Sequence, residues 1–179
     1  MGYIVVGGGP RTGTSLLQMM LCQDESTNRY VHEARYLRRL VATYEHGLRE
    51  FDSFTRDYFA SRENLRRFHR SVIEGFFEVM RAANGAVENL VVKEPDLTAF
   101  FPALHDLIPE TRFVCTVRNP LDAVASLVKV GEKQRTAGIR SVMADRNVER
   151  LSEMFKATYG PVLNSGNQEL LEAVLFVRY

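Results

Sequence analysis

The sequence predicts an α/β fold, a three-layer α/β/α domain built on a parallel sheet. Three observations carry that expectation. Short β-branched runs, Ile4-Val5-Val6, Leu90 to Lys93 and Arg112 to Val117, alternate with stretches of helical periodicity. Strands that alternate with helices need crossover connections, and crossovers cover both faces of a parallel sheet. Parallel strands also bring their carboxyl ends to one edge, where ligands bind, and three such ends carry Gly7 to Arg11, Lys93 and Arg118. A compact cationic site built from Arg11, Lys93 and Arg118 is therefore expected there.

The first strand runs into Gly7-Gly-Gly-Pro-Arg-Thr-Gly-Thr-Ser15 and then a helix whose apolar face is expected to carry Leu16, Leu17, Met20 and Leu21. After a polar loop over Cys22 to Asn28, Tyr30-Val-His-Glu33 leads to a helix starting near Ala34 or Arg35. Helical pattern continues to about Asn84, with interruptions around Phe51 to Ser53 and near Ser61. Its last piece carries Leu65, Phe68, Val72, Phe76 and Met80 at intervals of three and four, the spacing of a core-facing stripe, and Asn84-Gly85 ends it. Beyond the second strand, Glu94-Pro95 forces an extended residue, and a helix follows through Phe100, Phe101, Leu104, Leu107 and Ile108 to Pro109.

After the third strand, Asn119-Pro120 reads as N-cap and first helical residue, with Asp122 suited to the positive end of the dipole. The stripe expected on that helix is Leu121, Val124, Ala125 and Val128, with Ser126 off it. Gly131 to Asp145 is polar and basic and reads as a mobile surface segment. Val148 to about Val162 reads as helix, and Leu175 to Tyr179 as a further strand.

Length and composition bound the function. A chain of 179 residues is one domain with a core of its own. A net charge of +1 and a pI near 7.8 give no support for nucleic-acid or membrane-surface partners. Cys22 and Cys115 lie far apart without metal-ligand spacing, so reduced thiols are expected. With the first strand starting almost at once and no apolar run of spanning length, the expected location is cytoplasmic.

The glycine-rich turn opening a helix is a site for an anion. The first amides of the helix lack intrahelical acceptors, the dipole is positive there, and glycines allow close approach. Gly8-x-x-x-x-Gly13-Thr14-Ser15 has the spacing of a nucleoside triphosphate loop, but Thr14 stands where that loop needs Lys. A triphosphate site also needs an acidic strand end for Mg²⁺, whereas the third strand ends in Arg118.

These residues resemble the sulfotransferase family that uses 3′-phosphoadenosine 5′-phosphosulfate (PAPS), whose fold is P-loop nucleoside triphosphate hydrolase-like. Gly9-Pro10-Arg11-Thr12-Gly13-Thr14-Ser15 is similar to that family's 5′-phosphosulfate loop. Arg118 and Ser126, eight apart, are similar to its 3′-phosphate signature, and Lys93-Glu94-Pro95 to its Lys-x-Pro. Arg at position 11 resembles the protein-tyrosine sulfotransferase branch and some bacterial relatives, and Val31-His-Glu33-Ala-Arg35 the segment holding that branch's base. The resemblance implies transfer of a sulfuryl group from PAPS to a hydroxyl or amine by metal-free in-line displacement, leaving adenosine 3′,5′-bisphosphate. It implies Arg11 and Lys93 as charge-neutralising groups and Glu33 as base. Gly9, Pro10, Arg11, Thr12, Gly13, Thr14 and Ser15 would hold the 5′ end, and Arg118 and Ser126 the 3′-phosphate. The family's final strand continues into segments that close over the cofactor, so residues 1–179 read as a single sulfotransferase-like domain without that closing segment.

Each role has a plainer rival. Arg118 and Lys93 are also what solvated strand ends look like, and Ser126 could be merely exposed. An acidic residue at a helix start, as Glu33 is, stabilises the dipole, and His32 beside it is a competing base. His46, His69 and His105 read as structural. A P-loop kinase or triphosphatase and a non-catalytic nucleotide-binding module are the alternative functions. The acceptor, whether small molecule, saccharide or peptide, and the oligomeric state are not written in any motif.

Overall fold

A computed structural model of the chain describes residues 2–139 and 148–178. Four strands form one all-parallel sheet in the order β2-β1-β3-β4: β1 is Gly2–Gly8, β2 Asn89–Lys93, β3 Thr111–Val117 and β4 Val174–Arg178. The β-branched runs thus become the strands expected of them, with Val5 paired to Val92 on one side and Phe113 on the other. Helices α1 (Thr14–Leu21), α2 (Arg35–Arg49), α3 (Arg56–Phe59), α4 (Arg62–Ala83), α5 (Phe101–Leu107), α6 (Pro120–Thr136), α7 (Val148–Leu163) and α8 (Gln168–Ala173) complete the three-layer α/β arrangement. The chain crosses from β2 over β1 to β3, so β1 has a neighbour on each side. The crevice at its carboxyl end is the switch point where such sheets bind ligands.

Alternation along the strands sends Val5, Leu90, Val92, Phe113 and Cys115 into one core with Leu37, Val41, Ile73, Phe77, Phe101 and Leu104 of the covering helices. Full burial of each such side chain contributes roughly 1.5–3 kcal/mol. The interruptions expected in the long helical region are real. Phe51–Thr55 forms a π-helical turn, Ala60 has φ 61°, and the Ser61 hydroxyl caps α4 by accepting the Asn64 amide at 3.1 Å. Gly85, at φ 93°, follows α4 as expected, and the Arg81 carbonyl accepts the amides of Asn84 and Ala86. The Asn119 side chain caps α6 by accepting the Leu121 amide at 2.9 Å, with Pro120 first in the helix.

Three helical faces differ from expectation. On α4 the buried line is Leu65, His69, Ile73, Phe77 and Arg81, one residue on from the expected stripe. Phe68 stays half exposed, against Phe59, because His69 takes the inner position beside the Tyr44 ring. On α6 the buried residues are Ala123, Leu127 and Gly131, while Leu121 is exposed; small residues at 123 and 131 let this face approach its neighbours closely. That helix also runs on to Thr136, so residues 131–136 are helical and not a mobile segment; the remainder of that expectation, 140–145, lies outside the described residues. On α1 the buried residues are Thr14 and Gln18, and Leu16 and Met20 are exposed. The Gln18 amide donates to the Val31 carbonyl at 3.0 Å, which turns the polar side of α1 inward.

Candidate functional site

The loop between β1 and α1 is held in shape by buried hydrogen bonds from three distant elements. The Gly8 amide donates to the Thr98 hydroxyl at 2.7 Å, and the Gly9 amide to the Tyr159 hydroxyl at 2.7 Å. Tyr159 in turn donates to the Thr116 carbonyl at 2.9 Å. Gly8 sits at φ 135°, and a Cβ there would lie 2.6 Å from the Thr116 carbonyl oxygen, so only glycine fits. Thr12 is fully buried; its hydroxyl donates to the Gly9 carbonyl at 2.6 Å and meets the Thr116 hydroxyl at 2.7 Å. Its amide also bonds to the Gly9 carbonyl, at 3.3 Å. Thr12 therefore shapes the loop from within, and among the described residues the amides left facing the crevice are those further along.

Those amides belong to Gly13, Thr14, Ser15 and Leu16. Gly13, at φ 90°, precedes α1 with no side-chain cap, and none of these four amides has a backbone acceptor among the described residues. The first turn carries no acidic residue. An uncapped helix start with its donors converging and its dipole positive suits an anion.

Cations flank this start on two sides. On the α6 side, Arg11 adopts φ 68° at the loop apex, and its Nε donates to the Ser126 hydroxyl at 3.5 Å. The Arg118 guanidinium donates to the Arg11 carbonyl at 3.2 Å. Arg11, Gly13, Thr14, Ser15, Leu16 and Arg118 line a cavity of about 160 Å³. The sheet topology thus joins Arg11, Arg118 and Ser126, although Ser126 lies 115 residues from Arg11.

On the other side stands Lys93, at the end of β2 and only 2% exposed. Its Nζ donates to the Ser15 hydroxyl at 3.3 Å and to Glu33 Oε1 at 3.1 Å. The Lys93 carbonyl accepts the Ala34 amide at 2.9 Å, and this bond brings the entry of α2 against the strand end. The second oxygen of Glu33 accepts Arg35 Nε at 3.2 Å and NH2 at 2.9 Å. These bonds from Arg35, followed by those from Lys93, outweigh partial burial and hold the Glu33 carboxyl below the usual range. His32 is exposed, lies edge-on to Tyr30, and shares a cavity of about 470 Å³ with Ser15, Glu33, Arg35 and Lys93.

Of the expected residues, the structure brings Lys93, Ser15 and Glu33 together and separately joins Arg11, Ser126 and Arg118, with the α1 start between. Tyr159, Thr98 and Thr116 were not expected. Only their ordinary core positions are visible in the sequence, and no local pattern links Tyr159 to a loop 150 residues away. Glu94, buried beside Lys93, was also unassigned; its place between a cationic strand end and Pro95 was the available signal.

The donor set fits a ligand with two anionic groups: uncapped amides and Lys93 for one, Arg118 and Arg11 beside Ser126 for the other. Among the described residues no group of three or more His, Cys, Asp or Glu side chains could hold a metal. No helix among them is long and apolar enough to cross a membrane.

Comparison with known proteins supports this geometry. The sulfotransferase domain of the curacin biosynthetic pathway superposes with a TM-score of 0.61 at 18% identity, covering 99% of this chain and 67% of that one. The sulfotransferase domain of the Synechococcus PCC 7002 olefin synthase gives 0.59 at 13%, covering 99% and 66%. A sulfotransferase from Mycobacterium avium gives 0.59 at 16%, covering 99% and 58%. The chain thus spans about two thirds or less of the length of these proteins, and none of the three is a protein-tyrosine sulfotransferase. Curated proteins give no sequence match. The profile of the Sulfotransferase family, a family of transferase enzymes, matches residues 3–179, and the chain belongs to that family.

Proposed function

We propose that this chain transfers a sulfuryl group from PAPS to a hydroxyl or amine acceptor. The observation that carries the reading is the uncapped start of α1, set between Lys93 and the Arg11–Ser126–Arg118 cluster on one sheet edge. Sulfuryl transfer moves a highly charged group between two oxygens, so the protein's work is positioning and charge neutralisation. The amides of Gly13 to Leu16 would hold the 5′ group, with Arg11 and Lys93 neutralising charge there. Arg118 and Ser126 would hold the 3′-phosphate, which separates this donor from ATP. The donor supplies the sulfuryl group and leaves as adenosine 3′,5′-bisphosphate.

The acceptor would enter through the two cavities that meet at Ser15, Glu33 and Arg35. Their polar, charged walls suit a small molecule, saccharide or peptide with a polar group near its nucleophile. The free thiols Cys22 and Cys115 fit a reducing, cytoplasmic setting. The test is transfer of radiolabelled sulfate from PAPS, in buffer containing a chelator, to phenol, cellobiose and a tyrosine-containing peptide. Transfer to at least one is expected, with Arg11→Ala slower by roughly 10²–10³-fold. Intact binding of the bisphosphate with no transfer to any of the three would refute the reading.

A further inference from the structure

A carboxylate outside the expected set lies at the same crevice. Glu94 follows Lys93 at the end of β2, and only 3% of it is exposed. Its amide donates to the Val6 carbonyl at 3.1 Å, and its Oε1 accepts the Asp96 amide at 3.2 Å, capping the 3₁₀ turn Pro95–Phe100. Its Oε2 is buried and has no hydrogen-bond partner among the described residues. A buried carboxylate oxygen without a donor is costly and needs a reason. Glu94 lines a cavity of about 450 Å³ together with Arg11, Thr14, Ser15, Glu33 and Arg38, so the orphaned oxygen belongs to the wall of the site.

Glu33 is in the opposite condition. Arg35 and Lys93 occupy both its oxygens, and protonating it would break an ion pair on each side. A carboxylate so held is a poor proton acceptor, while its hold on the Lys93 ammonium is well suited to positioning.

Resting on the sulfuryl-transfer reading, we propose that Glu94, and not Glu33, takes the proton from the acceptor. The acceptor's O–H or N–H proton passes to Glu94 Oε2 as its O or N bonds to sulfur. The bond from sulfur to the 5′-phosphate oxygen breaks, and that oxygen keeps the electron pair. Glu33 is then a positioning residue for Lys93. The surroundings agree: burial pushes the Glu94 carboxyl above its usual range, with Asp96 and Glu33 acting in the same direction. The Asp96 amide and Arg38 oppose them, and the Arg35 charge lies in the same field. A carboxylate raised toward neutrality is the stronger base at working pH.

The experiment is the pH profile of kcat for wild type, Glu94→Gln and Glu33→Gln, with labelled PAPS and the fastest of the three acceptors above. Glutamine keeps the Oε1 cap and the volume, so thermal midpoint and bisphosphate affinity report the fold separately. Glu94→Gln is expected to lose roughly 10²–10⁴-fold in kcat with bisphosphate affinity preserved and the acidic limb of the profile gone. Glu33→Gln is expected to lose less and to keep that limb. Glu94→Gln retaining more than a tenth of wild-type kcat overturns the role of Glu94 while leaving the function standing. Wild type that binds the bisphosphate and transfers nothing overturns both. Should Glu94→Gln not fold, Glu94→Asp is expected to turn over slowly with the limb intact, and an Asp variant without the limb overturns the proposal.

Discussion

Replacing Tyr159 by Phe removes a single oxygen and tests whether the loop is set from behind. That hydroxyl accepts the Gly9 amide at 2.7 Å and donates to the Thr116 carbonyl at 2.9 Å, and the residue is 5% exposed. In the variant the Gly9 amide loses its acceptor in a site closed to solvent. The Thr116 carbonyl is less affected, because β3 pairs with β4 at that residue. One buried donor left without a partner costs about 1–3 kcal/mol. For a chain of this size each kcal/mol lowers the thermal midpoint by about 2–4 °C, so a fall of about 2–12 °C is expected. Gly9 begins the turn that aims the amides of Gly13 to Leu16, so affinity for adenosine 3′,5′-bisphosphate is expected to fall as well. Circular dichroism melting and calorimetric titration measure the two effects. A midpoint within 1 °C of wild type together with unchanged affinity would show that the loop holds its shape without Tyr159, and would refute the reasoning.

Gly8→Ala places a side chain at φ 135° against the Thr116 carbonyl; backbone strain and overpacking each cost about 1–3 kcal/mol, so a midpoint at least 5 °C lower is expected by calorimetry. Burial holds His69 and His105 below the usual imidazole pKa. The unfolded chain therefore takes up more protons than the native one as pH falls through about 6.5, and stability present above that pH is lost below it. Melting curves from pH 7.5 to 5.5 should show a falling midpoint; His69→Phe, which keeps a ring beside Tyr44, should flatten the fall, and an unchanged slope would exclude His69 as a contributor.

The sheet was legible because each strand is a compact β-branched run bounded by turn residues, and the Asn119-Pro120 cap because capping is local chemistry. The α4 stripe came out one residue displaced because periodicity counts Phe68 as core and His69 as polar. The packing reverses them, since an imidazole beside Tyr44 tolerates burial better than its polarity suggests. The polar composition of residues 131–136 hid a helix whose inner face needs only Gly131 to approach closely. In the site, Arg11, Lys93, Arg118 and Glu33 were visible as charges at strand ends and a helix start. What they touch was not, because it depends on contacts between residues 60 to 115 positions apart. The same holds for Glu94, whose interest lies in a missing hydrogen bond that only the folded environment reveals.

The central claim is a site for two separated anionic groups on an adenosine. Its most direct measurement is calorimetric titration with adenosine 3′,5′-bisphosphate, adenosine 5′-phosphate and Mg²⁺-ATP, for wild type and Arg118→Ala. The account predicts that wild type binds the bisphosphate most tightly without added metal, and that Arg118→Ala loses the preference over the monophosphate by roughly tenfold or more, as a charge-assisted contact of about 1.5–3 kcal/mol requires. Tighter binding of Mg²⁺-ATP, or a preference for the bisphosphate unchanged by Arg118→Ala, would contradict it.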